Sequence, residues 1–130
     1  MLVAMRTSLR TICGALLILL ALSISAFAHH GTAVYDTSKT FTVKGTVAEY
    51  VWANPHVYVK VDVKDDSGNP VRWTLEAQNP ITETDLGWTK STFKPGDEVE
   101  IDVKSAKNGR PIGSIGFATR IVINGKQFKP

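Results

Sequence analysis

Apolar and polar residues alternate with a period of two along most of the chain after Thr40. The cleanest run extends from residue 56 to residue 64, and its apolar positions are four valines, Val57, Val59, Val61 and Val63. Alternation of this kind in a β-branched segment is typical of a strand with one buried face. Comparable runs predict further strands over residues 41–51, 71–77, 99–103 and 115–123.

The first predicted strand contains a glycine on its apolar side. Its apolar face would consist of Phe41, Val43, Val47 and Val51, with Tyr50 on the opposite face. Gly45 interrupts the apolar face, and a glycine in a strand interior indicates a bulge or a sharp coil.

The segment from Ile81 to Phe93 lacks this alternation and predicts a short helix or loop. Thr82 or Thr84 would cap the helix, and Gly87 would end or interrupt it. The resulting order of elements predicts an all-β fold with small α content. We expect a five-stranded OB-like barrel, with the short helix or loop between strands 3 and 4. A two-sheet sandwich of about seven strands is the alternative, although the sequence offers only five or six.

Residues 1–28 have the organisation of a cleaved signal peptide. Arg6 and Arg10 precede an apolar stretch over residues 12–22, and Ala26-Phe27-Ala28 is a small-x-small cleavage signal. Cleavage after Ala28 would make His29 the first residue of a periplasmic or secreted protein. Cleavage after Ala26 and an uncleaved N-terminal anchor are the alternatives. Residues 29–39 would then form an N-terminal arm, and residues 40–130 a single OB-like β-barrel domain.

Charge and cysteine content exclude several classes of function. The predicted leader carries two of the fifteen basic residues and none of the twelve acidic ones, so its removal lowers the net charge from +3 to +1. Such a domain lacks the positive field of a non-specific nucleic-acid-binding protein. Cys13, the only cysteine, lies in the leader, so disulfides and thiolate metal sites are excluded from the mature chain. The expected partner is a small ligand or an envelope component, with no nucleic acid and, after cleavage, no membrane.

The three histidines of the chain are candidate metal ligands. His29 and His30 would stand beside a free terminal amine, and His56 begins the second predicted strand. An amine with two or three imidazoles and no thiolate favours copper among the divalent ions. The alternative is that the terminal pair is solvated and that His56 hydrogen-bonds to the backbone.

A second candidate site is an aromatic surface near the corner at Asn54-Pro55. Tyr50, Trp52 and Tyr58, with Asn54, would bind a sugar or a base, because the loop between the first two strands borders the ligand face of an OB-fold. Alternatively, Trp52 packs the end of the barrel. Three basic residues on the outward face would be available to an anion, Lys44, Lys60 and Arg72. The sequence has no phosphate loop, nucleophile elbow or His-Glu-x-x-His motif, which favours a non-enzymatic binding module with no catalytic residues.

An ordered set of short motifs spans most of residues 29–105. It consists of His29-His30-Gly31, Tyr35-Asp36, Gly45-Thr46-Val47, Asn54-Pro55-His56, Gly87-Trp88-Thr89 and Lys94-Pro95-Gly96-Asp97. In this set the chain resembles a family of small secreted bacterial proteins, domain-of-unknown-function family 6152. Members more usually have serine where this chain has Gly31. The resemblance implies a periplasmic or secreted β-domain and brings no substrate, cofactor or reaction.

Overall fold

The structure is a computed structural model that describes residues 34–117 and 119–129. The predicted signal peptide, His29 and His30 therefore lie outside the described residues. In chain order the elements are β1 (Phe41–Val51), β2 (Tyr58–Lys64), β3 (Pro70–Glu76), α1 (Pro80–Asp85), β4 (Glu98–Ser105), β5 (Ile112–Ser114), β6 (Ile121–Ile123) and β7 (Lys126–Gln127).

Five of the strands close into a barrel. The barrel order is β1-β2-β3-β5-β4, and β4 returns to β1. All pairs in the ring are antiparallel except β3 and β5, which are parallel. Closure leaves the barrel strands without a free edge. The predicted OB-like barrel, with its helix between the third and fourth strands, is confirmed, and closure excludes the sandwich alternative.

The first strand is shared between two neighbours because it coils at Gly45. Residues 41–46 pair with β4, whereas residues 46–51 pair with β2. At the changeover, a Cβ atom on Gly45 would overlap the backbone carbonyl of Asp62 on β2. Only glycine permits this approach, so the interruption in the apolar pattern has a steric cause.

The bulge itself lies three residues beyond Gly45, at Ala48, and it reverses the face of the residues that follow. The register shifts between Val47 and Glu49, after which Tyr50 pairs with buried Val59 and Val51 pairs with Tyr58. An extra residue in one strand turns the side chains after it to the opposite face. The expectation that Val51 shares the inner face and Tyr50 the outer one is therefore wrong, because the bulge exchanges them.

The core fills the barrel with side chains from β1 to β4 and from the segment after α1. Its buried members are Val43, Val47, Val57, Val59, Val61, Leu75, Ala77, Trp88, Phe93, Val99, Ile101, Val103, Ile115 and Ile121. Phe41 and Trp73 belong to β1 and β3, which are not neighbours in the barrel. Their rings nevertheless stack, with centroids 5.2 Å apart and an interplanar angle of 13°. Phe41 is 46% exposed, so the stacked pair lies where the barrel meets solvent and not in its buried core.

Helix α1 begins after an asparagine cap and ends two residues before a glycine. The Asn79 side chain accepts hydrogen bonds from the backbone N–H groups of Ile81 and Thr82, so neither Thr82 nor Thr84 is the cap. Asparagine immediately before a proline at the first helical position is a strong N-terminal signal. As predicted, the helix ends before Gly87, whose φ of 77° permits the hydrogen bonds that close the last turn. In the part of the chain that the structure describes, no helix has the length and apolar character needed to cross a membrane.

Of the fifth strand predicted over residues 115–123, only the end forms a strand, β6, and the short strand β5 lies just before the predicted range. β5 pairs with β4 at Lys104–Ser105, and β6 pairs with it at Val99–Ile101. Between them the chain leaves the ladder in a tight turn, in which the Gly116 amide donates to the Thr119 hydroxyl. Beyond residue 123 the chain returns on itself in the hairpin of β6 and β7. Asn124 and Gly125 both have positive φ, as a two-residue hairpin turn requires.

Candidate functional site

His56 lies just before β2, and one nitrogen of its ring contacts the barrel. Its Nδ1 atom is 3.2 Å from the carbonyl oxygen of Ala77 and 3.2 Å from Oε1 of Glu76. Both of these neighbours are acceptors, so the proton of the neutral ring belongs on Nδ1. The lone pair is then on Nε2. With the side chain 40% exposed, this arrangement matches the one in which proteins hold a metal-binding histidine.

Glu76, the last residue of β3, connects His56 to the segment before the barrel. Its second oxygen, Oε2, accepts a 2.8 Å hydrogen bond from the hydroxyl of Tyr35. Burial, followed by the hydrogen bond to Glu76, raises the pKa of the Tyr35 phenol. Burial and the charge of Glu76 also raise the pKa of Tyr58. Both phenols therefore stay protonated at neutral pH, which keeps Tyr35 a donor to the carboxylate.

Backbone hydrogen bonds fix the segment around Tyr35 against the end of β4. The Lys107 amide donates to the carbonyl of Val34, and the Asp36 amide donates to the carbonyl of Ser105, at 3.0 and 2.9 Å. Tyr35 itself forms an isolated antiparallel bridge with Ala106. Part of the predicted N-terminal arm is thus attached to the barrel, within hydrogen-bonding distance of the carboxylate that holds His56.

The predicted metal ligands are divided between described and undescribed parts of the chain. His56 is placed as above, whereas His29 and His30 lie outside the described residues. Residues 34–117 and 119–129 contain no group of three or more His, Cys, Asp or Glu side chains that would hold a metal ion. A metal centre at His56 would therefore need ligands from elsewhere, and the three-histidine site stays a prediction.

The predicted aromatic surface is not brought together on one face. Tyr50 faces the core, its ring centroid 5.3 Å from that of Phe93, and its hydroxyl donates to the carbonyl of Thr89. Trp52 packs edge-to-face on Tyr50 at 6.0 Å, whereas Tyr58 lies on the outer face of β2. Asn54 is exposed at the corner, where its peptide bond to Pro55 is cis. The role of these four residues in binding a ligand stays a prediction.

The basic residues of the outer face are neutralised by carboxylates. Lys44 lies 2.7 Å from Glu100, and Lys60 lies 2.7 Å from Glu49. Arg72 makes two hydrogen bonds to Asp62, at 2.8 and 2.9 Å, which lower the pKa of that carboxyl. Ion pairs of this kind leave little net positive potential for an anion.

Sequence reasoning did not identify Tyr35 and Glu76 as partners of His56. The two residues are 41 positions apart, and no periodicity relates an irregular arm to a strand end. Glu76 alternates with the apolar residues of β3, so the pattern predicts only that its side chain points away from the core. The register of β2 against β3, which pairs Glu76 with Tyr58, would have placed the carboxylate beside His56.

Comparison with known proteins gives a family and a structural likeness. The mitochondrial single-stranded DNA-binding protein Rim1 of S. cerevisiae is similar in structure, with a TM-score of 0.47 and 11% sequence identity over 67% of this chain and 96% of that chain. No curated protein matches this chain. A family of unknown function (DUF6152) matches residues 16–115, in agreement with the motif resemblance. Because that match covers more than half of the sequence, the protein belongs to the DUF6152 family.

Proposed function

We propose that the mature protein is a periplasmic or secreted binding module whose ligand is a divalent metal ion, with Cu(II) preferred. His56 supplies one imidazole, through Nε2, and His29 and His30 supply the others. The observation that carries the proposal is the double anchoring of Nδ1 of His56 by Ala77 and Glu76. Hydrogen-bond acceptors on the ring nitrogen that does not bind the metal fix the tautomer and orientation of ligating histidines.

The attachment of Tyr35 supports the participation of the terminal histidines. His30 precedes Tyr35 by five residues and His29 precedes it by six. Five residues of fully extended chain span at most about 17 Å. The Tyr35 hydroxyl contacts the carboxylate that holds His56, so only a short stretch of sequence separates the histidine pair from a residue attached beside His56.

The donor set decides the choice of metal. Imidazoles and an amine, without thiolate, suit Cu(II), which also stands at the top of the affinity series for divalent ions. A terminal amine with a pKa of about 7.7–8.0 loses its proton to a metal at modest cost. An aromatic ligand surface is less well supported, because Tyr50 and Trp52 pack against the core while Tyr58 lies outside.

The test is calorimetry with CuCl₂ on protein purified from the periplasm, after mass spectrometry has established the first residue. We expect sub-micromolar Cu(II) binding that weakens at least tenfold in His56→Ala. Lys60→Ala is the matched control, because Lys60 is also a half-exposed β2 residue paired with a carboxylate. Electron paramagnetic resonance of the copper complex should show one coordinated nitrogen fewer in His56→Ala.

Two results would contradict the proposal. Unchanged copper affinity in His56→Ala would show that the terminal amine and the histidine pair bind copper without His56, and that His56 has a structural role. Absence of binding by the wild-type protein with its terminus at His29 would exclude the metal altogether. Because a protein beginning at Phe27 would place His29 third, where it also chelates copper, only material of established terminus is informative.

A further inference from the structure

A small cavity lies beside α1 and the turn between β5 and β6. Its volume is about 50 Å³, and its walls include Glu83, Trp88, Phe117 and Phe128. Phe117 is 67% exposed, so the cavity meets solvent at this ring. No part of the candidate metal site contributes to it.

One residue of the cavity wall is ionisable, and it is almost fully removed from water. Glu83 is only 2% exposed, and its Oε1 accepts a 2.7 Å hydrogen bond from the Gln78 amide. Among the described residues no cationic side chain contacts it. A buried carboxylate without a compensating cation is costly, and a bound cation with N–H donors would remove that cost.

The other walls suit the same kind of ligand. Trp88 packs edge-to-face against Phe128, with ring centroids 6.1 Å apart, and both rings line the cavity. Aromatic rings attract cations through their quadrupole, most strongly in partly desolvated sites. A volume of about 50 Å³ accommodates one small polar head, since a water molecule occupies about 30 Å³ in the liquid.

From this geometry we infer that the cavity binds a primary ammonium group at the end of an unbranched alkyl chain. The ammonium donates to the Glu83 carboxylate beside the aromatic side chains of the cavity wall, and the methylenes leave the cavity against exposed Phe117. This site is separate from the proposed metal centre and does not depend on it.

The test is a titration of isotope-labelled protein with n-butylammonium chloride, followed by amide and indole NMR shifts at constant ionic strength. We expect saturable shifts at the Trp88 indole and the Gln78 amide. Neutral n-butanol tests the requirement for charge, and tetramethylammonium tests the size limit, because four methyl groups exceed the cavity. Both should bind at least tenfold more weakly than n-butylammonium.

Variants then test the carboxylate directly. Glu83→Gln keeps an acceptor for Gln78 and should weaken n-butylammonium binding at least tenfold. Glu49→Gln, which removes a surface carboxylate of the Lys60 ion pair, should leave the affinity unchanged. Equal binding of butanol, equal binding of tetramethylammonium, or full binding by folded Glu83→Gln would each overturn the inference. If Glu83→Gln does not fold, the two comparison ligands still decide it on the wild-type protein.

Discussion

The hydroxyl of Tyr35 donates a 2.8 Å hydrogen bond to Oε2 of Glu76, 41 residues further along the chain. The other oxygen of the same carboxylate lies 3.2 Å from Nδ1 of His56. One carboxylate therefore holds both the segment before the barrel and the imidazole at the start of β2. A substitution in the arm that removes the hydrogen bond to Glu76 is therefore expected to affect how the His56 ring is held.

Tyr35→Phe removes this hydrogen bond while keeping the ring. We expect copper affinity to fall about fivefold, because a half-buried hydrogen bond to a carboxylate contributes about 1 kcal/mol and that free energy corresponds to such a factor. The amides of Asp36 and Lys107 should also exchange faster with solvent. Their hydrogen bonds attach the two neighbours of Tyr35 to the barrel, because Asp36 donates to Ser105 and Lys107 donates to Val34. Calorimetry and hydrogen exchange measure the two effects.

Tyr58→Phe is the matched control for Tyr35→Phe. Tyr58 also lies near His56, with ring centroids 6.4 Å apart, but its hydroxyl makes no hydrogen bond within the described residues. Its removal should leave copper affinity and amide exchange unchanged. Equal effects of the two substitutions would show that the phenol of Tyr35 does not position the site.

Gly45→Ala should destabilise the barrel. The added methyl group would overlap the backbone carbonyl of Asp62, and backbone in a closed barrel has little room to move. Overpacking of this kind costs about 2–3 kcal/mol, which urea unfolding would measure. Gly116→Ala is the control, because its Cβ would meet only Thr119 Oγ1 at 3.6 Å. A Gly45→Ala protein as stable as Gly116→Ala would contradict the steric explanation.

The sequence predicts the strands well because hydrophobic periodicity reports directly on burial. Val57, Val59 and Val61 alternate in the sequence, and all three are completely buried. The barrel follows from the number and order of such strands. Trp88, which lies in the segment without alternation, is also in the core, with 4% exposure.

Positions that depend on one extra residue or on a distant partner could not be predicted. The β1 bulge leaves no mark in the alternation, since Val51 and Val47 are both apolar, and it moves Tyr50 to the inner face. The contact of Tyr35 with Glu76 depends on how the arm crosses the end of β4. Such an arrangement is determined by tertiary packing and not by local pattern.

The N-terminus of α1 gives a prediction that separates Asn79 from Thr82 as the cap. Asn79→Ala removes the acceptor of two backbone amides and should cost about 1 kcal/mol in the free energy of unfolding. Thr82→Ala removes a hydroxyl that makes no hydrogen bond within the described chain and should change it by less than about 0.5 kcal/mol. Thermal and urea unfolding of both variants would measure the difference, and equal costs would contradict the assignment of Asn79.

Glu83 gives a prediction on pH dependence. Burial raises the pKa of its carboxyl, although the hydrogen bond from Gln78 acts in the opposite direction. The native state therefore binds this proton more tightly than the unfolded chain does. The stabilisation that follows is complete below the unfolded-state pKa, about 4.3, and is lost as pH rises through the folded value. Burial and the charge of Glu83 both raise the pKa of Tyr50, so the Tyr50 phenol stays neutral between pH 4 and pH 7.

Glu83→Gln cannot titrate, so its unfolding free energy should rise relative to that of the wild type between pH 4 and pH 7. Urea unfolding of both proteins at each pH gives this difference, in which the other titrating groups cancel. Glu100→Gln should show the opposite slope, in a lower pH range: hydrogen bonds from Lys44 and Arg120 lower the pKa of Glu100, so the stabilisation that this carboxylate contributes is lost as pH falls below the unfolded-state value of about 4.3. Parallel stability curves for wild type and Glu83→Gln would mean that the buried carboxyl has an unperturbed pKa, which would also remove the electrostatic reason for a cation in the cavity.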